Sequence, residues 1–275
     1  MGTDLLCAPH FRYLYIIFLA VDTCFQLKRC IVSTWAKDPS LTAGWAYLVE
    51  WPEYHKFLLT VIDQKEMSTC SGLAALDYGN TKFSQGYSAM GISMGVCARH
   101  EFIQPNSVGD LQRGERYANM DYIFASFLRH IHRCLFKIVS YDIVCQWWKQ
   151  LKARLAKLPK LIHLTLILHL IRFVIPKLHI ETHTMLCKVM YSLGLVPGSA
   201  QTDGEGIEHP WANIGGVVSS TREMGPGSRE DTLNNHWAWW NWQKLLGLVE
   251  RLCTKLDCAK AEYAAQLEAF TAFSA

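Results

Sequence analysis

The sequence predicts an α/β layered sheet with helices packed against it. Short apolar runs rich in β-branched and aromatic residues recur along the chain, the pattern of strands buried on both faces. The later runs alternate with helical patterns, so their strands must be parallel and joined by right-handed crossovers. The chain has 275 residues, 50% of them hydrophobic, which is enough for one large core, and no Pro/Ser-rich or charge-run linker divides it. A single domain over residues 1–275 is expected, with an insertion at about 52–90 and a helical C-terminal extension at about 234–275.

YLYIIFLAV (13–21) is a continuous apolar run that stops at Asp22 and reads as a first buried strand. GWAYLVEW (44–51) reads as a second, residues 52–90 as polar and irregular, and GISMGVC (91–97) as a third. From Pro105 to Cys134 the pattern turns helical, with Leu111, Tyr117, Ile123, Phe124, Phe127, Leu128 and Ile131 as the apolar stripe. LFKIVSYD (135–142) is a fourth strand, again stopping at an Asp. IVCQWWKQLKARLAKLP (143–159) is a helix ended by Pro159. Its Lys149, Lys152, Arg154 and Lys157 form a basic surface beside Trp147 and Trp148. IRFVI (171–175) is a fifth strand, and TDGEGIE opens a helix with Thr202 or Asp203 as N-cap. From Asn234 the chain is helical and Trp-rich.

A net charge of +3 and a pI near 8.3 permit nucleic acid without demanding it. Ten cysteines without a C-x-x-C pair read as buried thiols in a reducing compartment. YLYIIFLAV could pass for a signal-peptide core, but it ends in Asp22 instead of a small-residue cleavage site. LIHLTLILHLIRFVI (161–175) is interrupted by His163, His169 and Arg172 and is too short to span a membrane.

Two strands that end in Asp, FLAVD at Asp22 and IVSYD at Asp142, suggest a metal site. Singly, each Asp suits a turn or cap. If the two strands are neighbours, both carboxylates leave one sheet edge together and raise each other's pKa unless a divalent cation lies between them. QTDGEGIEHPWA (201–212) offers the third acid. Oxygen-only ligation favours Mg²⁺ or Mn²⁺, whereas an acidic first helical turn that complements the macrodipole explains the same residues without a metal. His179 and His183 share a face if PKLHIETH is helical; hydrogen-bonding core histidines are preferred to a zinc site, with Glu181 and Cys187 the only neighbours to consider. The Trp147/Trp148 segment and NNHWAWWNWQK combine rings with lysines and suit either base stacking or core packing. STREMGPGS reads as a Gly/Pro loop.

VDTCFQLKR, DPSLTAGWAYLVE, STCSGLAAL, TKFSQGYSAMG, CARHEF, GDLQRGERYANMDY, SYDIVCQWWK, PKLHIETHTMLC, TDGEGIEHPWANI, STREMGPGSREDTL and NNHWAWWNWQK occur in this order. Together they resemble the catalytic region of the Kyakuja–Dileera–Zisupton transposases, abundant in fungal genomes, over residues 11–245. The resemblance implies a ribonuclease-H-like mixed sheet flanked by helices and a DDE-type transposase that cleaves and joins DNA with two Mg²⁺ (or Mn²⁺) ions. It implies action in the nucleus on DNA, away from membranes, and leaves homo-oligomerisation open. The family's first and second Asp match Asp22 and Asp142. Its G-E-x-x-E-R motif followed by Trp matches Gly204, Glu205, Glu208 and Trp211, with Glu208 preferred as the ligand over Glu205 and Asp203 as a cap.

The chain departs from that pattern at Thr23–Cys24, where small residues then Asn are usual, and at His209, where Arg is usual. Pro210 either kinks a helix that begins at Thr202 or Asp203, or serves as a first-turn residue of one that begins at Glu208 or His209. The chain also begins almost at the first strand, without the upstream cysteine-rich zinc-binding regions of family members, as expected of a fragment or a domesticated remnant. Two readings stay open: a metal-dependent DNA-cleaving and strand-transferring enzyme, or a catalytically decayed descendant that binds DNA or protein.

Overall fold

A computed structural model describes residues 15–61, 85–164, 168–199 and 202–274. Its centre is a five-stranded mixed sheet. In chain order the strands are β1 (Ile16–Cys24), β4 (Gly91–Cys97), β5 (Ile103–Leu111), β6 (Phe136–Ser140) and β7 (Ile171–Val174). A separate two-stranded ribbon pairs β2 (Arg29–Cys30) with β3 (Tyr87–Ala89). The large sheet has the order β5-β4-β1-β6-β7. β1, β4 and β5 form an antiparallel meander, and β6 and β7 extend the other side in parallel.

YLYIIFLAV therefore supplies the central strand. Its side chains alternate between faces as strand geometry requires. Leu19 and Val21 join one apolar cluster with Phe124, Phe127, Trp147 and Phe173. Phe18 and Ala20 join another with Met94, Trp211, Leu233 and Trp237. The first face is covered by helices α1 (Trp51–Leu59) and α2 (Tyr117–Leu128), and by the short helices α3 (Val144–Trp147), α4 (Leu151–Leu155) and α5 (Met185–Met190). The second is covered by α6 (Glu208–Ile214), α7 (Val218–Arg222) and α8 (Pro226–Leu246). Helix α9 (Leu248–Ser274) follows and buries none of its residues.

Several elements differ from the sequence-based expectations. GWAYLVEW makes no strand. Its backbone carbonyls at Ala46 and Tyr47 accept bonds from Asn106 and Val108 at the outer edge of β5, and Pro52, which lacks an N–H, instead opens α1 at its first turn. α1 buries Tyr54, Phe57 and Leu58, so residues 52–59 are not irregular; positions 62–84 of the expected insertion lie outside the described residues. PNSVGDL (105–111), expected to open a helical run, instead belongs to β5. It lies at the sheet edge, where Pro105 is tolerated, and Gly109 leaves room for Ile123 of α2.

The helix expected over 143–159 breaks at Gln150, which takes φ +57. Arg154 folds back onto Asp121 at 2.7 Å, and Trp147 Nε1 donates to the same carboxylate at 2.9 Å. Trp147 is core and Arg154 is not part of a free basic surface; Trp148 stays 41% exposed. STREMGPGS is mostly helical, shared between α7 and α8, and the C-terminal helix begins at Pro226, eight residues before the expected Asn234. Cys24, Cys145 and Cys187 are buried, but Cys134, Cys253 and Cys258 are exposed, so the expectation of buried thiols holds for only part of the set.

The motifs DPSLTAG and GPGSREDTL interlock. Asp38 accepts from the Ser228 backbone N–H and hydroxyl at 3.0 and 2.8 Å, which caps a helix whose own N-cap is glycine. Asp231 accepts from the backbone of Leu41 and Thr42 and from the hydroxyls of Ser40 and Thr42. Within α8, Asn234 and Asn241 bond Tyr47, Leu48 and Ile103, and Trp237 is fully buried between them. The inward face of NNHWAWWNWQK thus packs and pairs, while Trp239 and Trp242 point to solvent.

Candidate functional site

β1 and β6 pair in parallel with Ala20 opposite Ser140. Two residues further along each chain come Asp22 and Asp142. Strand spacing of about 4.8 Å therefore brings the two acids to one end of the sheet as neighbours. β1 runs on to Cys24, so Asp22 lies inside the strand instead of just after it, whereas Asp142 follows the last residue of β6 by two. Burial first, then the charges of Asp142 and Glu115, push the Asp22 carboxyl well above the usual carboxylate range. Trp211 Nε1 donates to Asp22 Oδ2 at 2.8 Å and partly offsets that penalty.

The acidic segment approaches from the next loop. Gly204 takes φ +85 and lies against Ser140, and Gly206 lies against the Ala98 carbonyl, where a Cβ would come within 2.3 Å. Asp203 accepts from the Glu205 N–H at 3.0 Å, closing a turn before the helix. α6 begins only at Glu208, so neither Thr202 nor Asp203 is its N-cap. Pro210 is then a buried first-turn residue, where no N–H is required for the helix.

His179 joins the acids. Its Nδ1 is 2.9 Å from Asp142 Oδ2, and its Nε2 is 3.9 Å from Glu205 Oε2. His179, Glu205 and Glu208 bring one ligand atom each within 4.8 Å of one another. The hydrogen bond to Asp142 raises the His179 imidazole to about 9 against the opposing effect of burial. Glu205 has one oxygen engaged, since Oε1 accepts from the Leu178 N–H at 2.9 Å. Glu208 is exposed and lines a groove with Asp22, Thr23, Gln26 and Trp211. PKLHIETH is a 3₁₀ turn, not the α-helix that would align both histidines, and His183 turns inward instead.

A fifth carboxylate joins the four without a signal in the sequence. Glu115 is buried, accepts from Thr23 Oγ1 at 3.0 Å and from the Tyr141 hydroxyl, and acts on Asp22 through its charge. It belongs to GDLQRGERYANMDY, a motif that gave no spacing signal because its partners lie 92 and 26 residues away. His209 pairs with Glu101 at 3.0 Å, and Lys244 of α8 pairs with the same carboxylate.

Asp22, Asp142, Glu205 and Glu208 thus converge on one end of the sheet, with Trp211, His179 and Glu115 around them. Four crowded acids, of which Asp22 and Glu205 are both destabilised as anions by burial, make a donor set that suits divalent cations. No described helix is long and apolar enough to cross a membrane. A model of one protein family, described as KDZ: Kyakuja-Dileera-Zisupton transposase, matches residues 15–241. No curated protein and no solved structure gives a significant match.

Proposed function

The chain belongs to the Kyakuja–Dileera–Zisupton transposase family, and from that premise we propose that it is a DDE-type catalytic domain that cleaves DNA phosphodiesters and transfers strands. The observation that carries this reading is the convergence of Asp22 and Asp142, from adjacent parallel strands, with the Glu205–Glu208 segment. A sheet with its third, second, first, fourth and fifth strands in that spatial order supports a ribonuclease-H-like identity, and residues 1–275 are read as one such unit.

Asp22, Asp142 and Glu208 would hold the metal, with Glu205 as the other candidate. Two Mg²⁺ or Mn²⁺ ions, when bound, supply an activated water or 3′-hydroxyl and stabilise the leaving oxygen. The protein's own residues set up that chemistry. Trp211 Nε1 fixes Oδ2 of Asp22, and the Thr23 backbone N–H bonds the same carboxylate, so its orientation is set before a metal binds. Leu178 holds Glu205 Oε1, which leaves Glu208, with no hydrogen bond to its side chain among the described residues, the better third arm. His179 orients Asp142 through Nδ1. The groove along Asp22, Gln26 and Glu208 is where a DNA backbone would lie. DNA is the partner and the nucleus the place of action on this reading.

The test is nicking and strand transfer on plasmid DNA with Mg²⁺ or Mn²⁺. Asp142→Ala is expected to reduce both to background with the unfolding midpoint kept. If the wild-type chain shows neither activity nor Mn²⁺ binding, the catalytic claim fails and the reading as a non-enzymatic DNA- or protein-binding descendant takes its place.

A further inference from the structure

Behind Asp142 and His179 lies a second group of donors. Cys145, in α3, follows Asp142 by three residues; His183 follows His179 by four; Cys187 lies in α5. All three are buried, and each brings one ligand atom within 4.8 Å of the other two. Two sulfurs and one imidazole are a soft donor set, unlike the oxygen-only set on the other side of Asp142.

We propose that Cys145, His183 and Cys187 form a zinc site, separate from the carboxylate centre, that braces the segments carrying Asp142 and His179. The spacing fits the ion. Zinc holds sulfur at about 2.3 Å and nitrogen at about 2.0–2.1 Å, and tetrahedral angles then set the two atoms about 3.6 Å apart. Cys145 Sγ and His183 Nδ1 are 3.6 Å apart. The corresponding sulfur–sulfur edge is about 3.8 Å, inside the limit that Cys187 meets. Among the described residues no other Cys, His, Asp or Glu joins the group, and water is the proposed fourth ligand. Thr184 Oγ1, 3.4 Å from Cys187 Sγ, donates to that sulfur and orients it.

Formation of the site balances simply. Both thiols lose their protons to solvent, the neutral imidazole gives a lone pair, and no electron moves. The placement gives the ion a role. One segment leaves β6, the other leaves β7, and they already meet through Asp142 and His179 at 2.9 Å. A zinc ion one turn behind that contact fixes both segments to each other, so Asp142 is held in place before any magnesium arrives.

Zinc in the purified full-length chain tests this by elemental analysis after dialysis, and Co²⁺ substitution by absorption. One zinc per chain is expected. Its Co²⁺ replacement should show the thiolate-to-metal charge-transfer band and the visible bands of tetrahedral cobalt. Cys145→Ser and Cys187→Ser should each weaken the metal by more than about a hundredfold, beyond what loss of an outer partner costs, while Asp142→Asn keeps it. Absence of the thiolate band from the folded wild-type chain overturns the proposal, as does retention of zinc by the Cys145→Ser/Cys187→Ser chain. Failure of DNA cleavage leaves this result untouched, because metal content is read without it.

Discussion

At the scale of single residues, the acid cluster depends on side chains that hold it without being part of it. Trp211→Phe removes the indole N–H from Asp22 and keeps the ring's bulk. On the proposed function, Mn²⁺ affinity by calorimetry and DNA nicking should both fall about 10–100-fold, as for other partners of ligating groups. Gly204→Ala places a methyl at φ +85, 2.8 Å from Ser140 Oγ; urea unfolding should show a loss of about 1–2 kcal/mol. Away from the site, burial lifts Glu230 to about 7, with Asp110 and Asp231 adding to the shift. Its folded pKa lies above its unfolded value, so the native chain binds the extra proton. Stability is therefore fully retained below the unfolded pKa and lost as pH rises through about 7. Glu230→Gln should flatten that decline and add on the order of 2 kcal/mol at pH 8, read from urea midpoints at pH 5 and 8. These residues also show where the sequence was mute. Asp22 and Asp142 carry a local signal because each stops an apolar run, and Glu205 and Glu208 because they lie in a crowded acidic stretch. Glu115 carries none, since its importance comes only from Thr23 and Tyr141, which the fold brings to it.

At the scale of elements, buried polar contacts decide what the apolar pattern leaves open. β1, β4, β6 and β7 are legible because each falls on a short apolar run, even β7 at the sheet edge with Arg172 exposed. β5 was hidden, being an edge strand with Pro105, Asn106 and Asp110 that owes its place to hydrogen bonds with β4. α8 was placed eight residues too late because its first turns carry polar residues with distant partners. Arg229 is the clearest case: it is buried, pairs with Asp110 at 2.7 Å and donates to the Leu27 carbonyl at 2.8 Å. Arg229→Ala leaves Asp110 buried without its cation, and should cost about 3–5 kcal/mol in chemical unfolding. The double change Arg229→Met/Asp110→Asn should cost less, because the buried Asp110 charge goes with its partner and the neighbouring Arg29 loses the attraction of Asp110 and the repulsion of Arg229 together.

At the scale of the whole molecule, the core ends with α8. α9 has no buried residue, and Val249, Leu256, Tyr263 and Phe270 repeat along it at seven-residue spacing in the open. A chain ending at Gly247 should therefore keep its unfolding free energy within about 0.5 kcal/mol, the range of surface changes, read from urea midpoints. The clasp between Asp38 and Ser228 reaches the same scale by another route. It joins residues 190 apart, and the strand before it lies in the middle of the sheet. At roughly 5–20 residues per second, a ribosome needs about 10–40 s to make the intervening chain. During that time β4 and β6 emerge beside β1, but the face of Phe18 and Ala20 still lacks Leu233 and Trp237, and until they arrive its protection falls to whatever holds nascent chains apart.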